Sequence, residues 1–72
     1  MQQYRNLSGD SGVEAFEIGN DYILVKFIDT LRIYRYSYSK AGPIHVQNMK
    51  QLAIEGRGLS SYISKYVREK ND

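Results

Sequence analysis

The alternation of apolar and polar residues predicts three β-strands in the first half of the chain. They are the runs VEAFEI (13–18), YILVKFI (22–28) and LRIYRYSY (31–38). The first run breaks its alternation between Ala15 and Phe16, which predicts a β-bulge or burial on both faces. The second run follows Gly-Asn-Asp, a strong turn signal, and has one purely apolar face. The short connections predict an antiparallel three-stranded meander.

Two helical patterns occupy the second half, at 43–56 and 59–70. Pro43 suits the first position of a helix, and the glycines at 56 and 58 predict that the first helix ends there. The predicted apolar faces are Val46, Met49, Leu52 and Ala53 in the first helix, and Leu59, Tyr62, Ile63, Tyr66 and Val67 in the second. The order β-β-β-α-α predicts an α+β fold in which both helices pack on one face of the sheet.

The first twelve residues, 1–12, are polar and rich in Gly, Ser and Asp. This composition predicts a flexible N-terminal segment, in which Tyr4 and Leu7 are the residues that could pack against the folded domain. We therefore expect one folded domain over residues 13–69.

Composition narrows the function classes. The 72 residues include no cysteine, which excludes thiol catalysis and cysteine-ligated metals and fits a reducing compartment. No apolar run is long enough to span a membrane, and the N-terminus lacks the apolar centre of a signal peptide. We expect a cytoplasmic protein without a membrane partner. The net charge of +2 is mild, but acids concentrate in the first half and bases from Arg32 onward.

The sequence offers little for catalysis. His45 is the single histidine, in the first turn of a predicted helix, and no HxxxH or DxDxD pattern accompanies it. We therefore predict a non-enzymatic protein with no catalytic residue, no metal and no cofactor.

The Gly-Arg-Gly segment (56–58) has two interpretations. Its backbone N–H groups and Arg57 would hold a phosphate or another anion before the second helix. Alternatively, the two glycines simply let the chain reverse between helices.

The tyrosine-rich strand at 31–38 also has two interpretations. Its even positions are Arg32, Tyr34, Tyr36 and Tyr38, and its odd positions are Leu31, Ile33, Arg35 and Ser37. If the even face is exposed, the tyrosines would stack nucleic-acid bases, at about 1–3 kcal/mol per base. If it packs under the helices, the tyrosines belong to the core.

A binding module is the function class that follows, and nucleic acid, RNA in particular, is the partner that we expect first. The residues predicted to bind it are Arg32, Tyr34, Arg35, Tyr36, Tyr38, Lys40 and Arg57. The tyrosines would stack on bases, and the basic side chains would neutralise phosphates. The alternative is a protein–protein interaction module, or a homodimer, that uses an exposed edge or face of the sheet.

Several short motifs, taken in order, match a known pattern. They are Ile18, Gly19 and Asp21 in the first turn, Ile23, Val25 and Phe27 in the second strand, Tyr34 and Tyr36 in the third strand, Pro43 and Ala53 in the first helix, and the turn from Gly56 to Gly58, Tyr62 and Ile63 after it. Over about residues 12–68 the chain resembles the KTSC domain, a small domain found at the C-terminus of some lysyl-tRNA synthetases and as stand-alone short proteins. The chain departs from that pattern at Asp-Thr-Leu (29–31), where the family has a glycine, and in the segment after Tyr36. The resemblance implies no activity or catalytic residue, and a link to translation or nucleic acid.

Overall fold

A computed structural model describes residues 1–9 and 11–72. It contains an antiparallel sheet of four strands in the order β1-β2-β3-β4, followed by helices. The elements are β1 (Gln2–Gln3), β2 (Val13–Ile18), β3 (Tyr22–Phe27), β4 (Ile33–Ser37), α1 (Pro43–Glu55), α2 (Leu59–Tyr62) and a π-helical segment (Ile63–Val67) that continues α2. The predicted α+β class is confirmed. The predicted number of three strands is wrong, because the sheet contains a fourth strand, β1, that the sequence analysis did not predict.

The additional strand lies in the N-terminal segment that was expected to be flexible. Gln2 and Gln3 pair with Phe16 and Ala15 of β2. Tyr4 is buried, and its hydroxyl oxygen accepts a hydrogen bond from the Leu59 backbone N–H at 3.3 Å. The segment from Gln2 to Tyr4 is thus part of the fold. Asp10 lies outside the described residues.

The broken alternation in β2 corresponds to a β-bulge. Val13 is opposite Phe27 and Ala15 is opposite Lys26, so Glu14 is the extra residue between them. The extra residue turns Val13 and Phe16 to the same side of the sheet, where both are buried. The bulge is therefore the correct one of the two predicted alternatives.

A single hydrophobic core lies between one face of the sheet and the helices. Its members are Tyr4, Val13, Phe16, Ile23, Val25, Tyr36, Ala41, Val46, Met49, Ala53, Leu59, Ile63 and Val67. The apolar faces predicted for both helices are present, except that Tyr66 is exposed. No helix in the described part of the chain combines the length and apolarity that crossing a bilayer requires.

Glycine ends α1 for a steric reason. Gly56 has a left-handed φ of 79°, and its N–H donates to the Leu52 carbonyl at 2.9 Å. A β-carbon at Gly56 would lie 2.9 Å from Cβ of Arg5. The Gly56 carbonyl also accepts from the Leu7 N–H at 2.7 Å. The end of α1 is therefore tied to the segment that follows β1.

Candidate interaction surface on the fourth strand

The tyrosines of β4 face the helices. Tyr36 is only 1% exposed and belongs to the core. Tyr34 meets Phe27 in an edge-to-face contact with ring centroids 5.6 Å apart, and the Arg32 guanidinium lies 4.7 Å from the Tyr34 ring centre. The structure therefore supports the packing interpretation of Tyr34 and Tyr36, and not an open stacking face.

Tyr38, just beyond β4, is held in a similar way. Its hydroxyl group accepts a hydrogen bond from the Gln47 side chain, and the Lys50 ammonium lies 5.3 Å from its ring centre. Lys50 also donates to the backbone carbonyls of Gly19 and Asn20, at 2.8 and 3.2 Å. Lys50 was not among the predicted binding residues, and it links the β2–β3 turn to Tyr38.

Burial raises the pKa of the central tyrosine. Removal from water raises the pKa of Tyr36 from 10.0 to about 12, and the neighbouring Tyr34 adds a smaller effect in the same direction. Any tyrosine is neutral at physiological pH, so the shift extends the neutral state of Tyr36 into the alkaline range.

The basic residues predicted for the site do not converge. Arg35 lies on the outer face of the sheet, 4.6 Å from the Tyr22 ring centre, with its Nε 3.3 Å from Oδ2 of Asp72. Lys40 is exposed in the turn before α1. Arg57 is exposed between α1 and α2, beside a depression of about 440 Å³ that is lined also by Ser8, Ser11, Gly58, Ser60 and Ser61. The seven predicted residues thus do not form one surface: Tyr36 is in the core, and Arg35, Lys40 and Arg57 lie on three different parts of the surface. Their binding of nucleic acid stays a prediction.

β4 is an edge strand of the sheet, and its backbone is open over part of its length. The Tyr38 N–H donates to the Asp21 carbonyl, so the even residues bond to the β3 side and the odd residues point their backbone groups outward. At Ser37 this outer side is closed, because Oδ1 of Asp72 accepts from the Ser37 N–H at 3.3 Å. The Asp72 N–H donates to the Arg35 carbonyl at 2.7 Å.

The remaining outward groups are the N–H and C=O of Ile33 and the N–H of Arg35. Within residues 1–9 and 11–72, no other strand and no side chain bonds to them. Unpaired edge groups of this kind are a template for strand addition.

An exposed apolar patch flanks this open stretch. Ile28, Leu31 and Ile33, here called the hairpin-tip patch, are 52%, 94% and 49% exposed. Ile28 and Leu31 line one depression of about 250 Å³ together with Lys26, which is the cross-strand partner of Ile33. The open edge and the patch therefore form one surface.

A second exposed feature lies on the helices and was not predicted as a site. His45 Nδ1 is 2.7 Å from the Tyr62 hydroxyl oxygen, and the His45 ring stacks on Tyr66 with centroids 5.9 Å apart. Tyr62 and Tyr66 lie on one helical face, which is why the sequence pattern indicated two core residues. All seven tyrosines are in the described part of the chain, and Tyr66, at 47%, is the only one of them with a largely exposed side chain.

No family model, no curated protein and no solved structure matches this chain. The side chains and the open backbone groups of β4 are therefore the basis for a functional assignment.

Proposed function

We propose that this chain is a small non-enzymatic binding module that takes up an extended polypeptide segment at the open edge of β4. One observation carries the proposal: the unpaired backbone groups of Ile33 and Arg35 lie beside the exposed hairpin-tip patch. In strand addition, main-chain hydrogen bonds supply affinity, and alternate side chains of the segment supply specificity.

Charge restricts the segments that fit. Arg32 and Arg35 lie on either side of Ile33 in the sequence, and both are exposed. An added strand with carboxylates near them gains favourable cross-strand pairs, whereas lysines there are opposed to like charge. Arg32 and Arg35 lie on opposite faces of the sheet, and a segment that alternates apolar and acidic residues has all its carboxylates on one face. With the carboxylates on the side of Arg32, its apolar side chains lie on the side of Ile33 and Leu31, so such a segment suits this edge.

A peptide titration tests the proposal. The probe is an octapeptide of alternating Val and Glu, and its matched control alternates Val and Lys. We expect the Val–Glu peptide to shift the amide resonances of Ile33 and Arg35 and to leave those of α1 unchanged. Ile33→Pro removes the outward N–H without breaking a bond to β3, so this variant should fold and lose the response. Equal shifts with both peptides, or none, would contradict the proposal.

RNA is the second candidate partner, and a specific observation supports it. Tyr66 is exposed, lies 4.7 Å from the Tyr62 ring and has the Lys65 ammonium 5.7 Å from its ring centre. An aromatic ring next to a cation is a common platform for an unpaired base. In this version Tyr66 replaces the β4 tyrosines as the stacking residue, and Lys65 is the cation beside it.

The RNA candidate is tested with single-stranded oligouridine at low salt. Binding is expected to weaken steeply with added salt and to fall when Tyr66 is replaced by Leu. Tyr38→Leu is the comparison, because Tyr38 is held by Gln47 and Lys50. The absence of any shift at low salt would eliminate RNA as a partner.

Membership of the KTSC family and a cytoplasmic location complete the proposal. The resemblance is supported by the framework roles of its matched residues: Pro43 opens α1, Ala53 and Tyr36 are buried, and Gly56 has a left-handed backbone. The cytoplasmic location is supported by the lack of cysteine.

A further inference from the structure

We infer that the segment taken up by the open edge is β4 of a second copy of this chain, paired antiparallel about Ile33. This inference rests on the proposed function and names its partner. β4 of a second copy and the residue before it carry Arg35 and Arg32 and no carboxylate, so they fit this edge only in a register that keeps these arginines away from those of the first copy. It follows from the hydrogen bonds that the edge still offers, from the charges across the pair and from the exposed apolar side chains.

The free backbone groups select the centre of the pair. With Ile33 opposite Ile33 of the second copy, each Ile33 N–H donates to the other Ile33 carbonyl. Each Arg35 N–H then donates to the carbonyl of residue 31 in the second copy. The Leu31 N–H of the second copy faces the Arg35 carbonyl, which keeps its bond to the Asp72 N–H, so this one bond of each 35–31 pair is not formed. Four hydrogen bonds join the two strands, and no existing hydrogen bond is broken.

Other centres conflict with the structure. A pair centred on Tyr34 directs both Ile33 N–H groups at Arg35 carbonyls that already accept from Asp72, so it forms two hydrogen bonds where the Ile33-centred pair forms four. A pair centred on Arg35 places the two arginines directly opposite each other, where like charges destabilise a sheet. It also needs the Ser37 N–H, which is bonded to the Asp72 carboxylate.

The side chains fit the Ile33-centred register. Each Arg35 is opposite Leu31, and each Arg32 is opposite Tyr34, so every arginine faces an uncharged residue. The two Ile33 side chains meet at the axis. Leu31, the most exposed apolar side chain, is covered by the aliphatic part of the opposite Arg35. The pairing thus removes apolar surface from water.

The contact is small, which sets the expected behaviour. Pairing of a short edge buries less than the roughly 1,200 Å² at the lower limit of stable complexes. We therefore expect a monomer in dilute solution and a dimer only at high protein concentration. Sedimentation velocity should show this concentration dependence for the natural sequence and its loss in Ile33→Pro.

Disulfide crosslinking tests the register, since the chain has no cysteine of its own. Two residues in a hydrogen-bonded antiparallel pair have Cα atoms about 5.5 Å apart, within the range that a disulfide spans. Ile33→Cys should therefore oxidise to a covalent dimer. Two Arg35 residues would be about 14 Å apart along the strands, so Arg35→Cys should not crosslink to itself. A mixture of Leu31→Cys and Arg35→Cys should give the mixed dimer.

Ile44→Cys, on the exposed side of α1, is the control: its rate of crosslinking is the rate that random collision alone gives. Crosslinking of Ile33→Cys no faster than this control, together with a strict monomer in sedimentation, overturns the inference. Self-crosslinking of Arg35→Cys as fast as that of Ile33→Cys also overturns it, because it excludes this register. If the dimer fails but the Val–Glu peptide still shifts Ile33 and Arg35, the proposed function stands with another partner. If the peptide also fails, both are wrong.

Discussion

The Ser37 hydroxyl donates to the carboxylate of Asp72, 35 positions later in the chain, across 2.7 Å. Together with the bonds between Asp72 and the backbone of residues 35 and 37, this contact fastens the segment after the π-helical turns to the edge of β4. It also divides that edge into a closed part at Ser37 and an open part at Ile33.

Removing this carboxylate should weaken the fold. Asp72→Ala deprives buried Ser37 of two acceptor contacts, and we expect a loss of about 1 kcal/mol in the free energy of unfolding. Urea unfolding monitored by circular dichroism measures it. Glu69→Ala is the matched control, because Glu69 is exposed and such substitutions change stability by less than about 0.5 kcal/mol. Equal midpoints for the two variants would show that Asp72 does not fasten the edge.

Alkaline pH should destabilise the fold through Tyr36. The pKa of Tyr36 is raised in the folded state. Between pH 10.0 and about pH 12 the phenol therefore loses its proton in the unfolded chain and keeps it in the folded chain. The stabilisation from this group is complete below pH 10.0 and decreases through that window as pH rises. The measurement is the urea midpoint over this pH range for the natural sequence and for Tyr36→Phe. Tyr36→Phe keeps the aromatic ring but has no ionisable group, so its urea midpoint should fall less steeply with rising pH. An equally steep fall for both proteins would contradict the raised pKa of Tyr36.

The two glycines around Arg57 should differ in their tolerance of alanine. Gly56 and Gly58 both have positive φ, 79° and 80°, which costs alanine about 1–2 kcal/mol at either position. At Gly56 the new β-carbon would also meet Cβ of Arg5 at 2.9 Å, whereas at Gly58 the nearest atom is 3.6 Å away. Gly56→Ala should therefore lower the thermal midpoint more than Gly58→Ala. The reverse order would mean that Arg5 does not approach α1 as described.

Replacement of Lys50 by alanine should lower the stability of the fold more than replacement of Lys40. Lys50 donates to two carbonyls of the β2–β3 turn, so Lys50→Ala should cost about 1 kcal/mol of stability. Lys40 is exposed and has no side-chain bond among the described residues, and Lys40→Ala should be close to neutral. Thermal unfolding compares the two. Similar losses for both would indicate that the turn does not depend on Lys50.

Sequence patterns predicted most elements because the apolar periods are strong. Ile23, Val25 and Phe27 alternate, and Val46, Met49 and Ala53 follow a helical period, so both elements were predictable. β1 was not, because Gln2 and Gln3 carry no apolar alternation and their strand is defined only by pairing with β2. The role of Asp72 was equally hidden, since it depends on a contact across 35 positions.

The candidate site was less predictable than the fold. Whether the even or the odd residues of β4 face solvent depends on which side the helices cover, and the mixed pattern of this strand does not encode that choice. Leu31 and Ile33 lie on the odd face of this strand, which the sequence assigned neither to the core nor to a binding site. In the structure both are exposed, and they form the centre of the proposed surface. Tyr34 and Tyr36, by contrast, have the packing role that one of the two interpretations assigned to them.

Amide hydrogen exchange at Ile33 and Arg35 tests the central claim most directly. The natural protein is compared in dilute solution and with an added strand, either as the Val–Glu peptide or as more of the protein itself. We predict fast exchange at both amides when dilute and marked slowing when the strand is added. The Tyr36 amide, which bonds toward β3, should change little. Fast exchange of Ile33 and Arg35 under all three conditions would contradict the claim that the β4 edge is the binding surface.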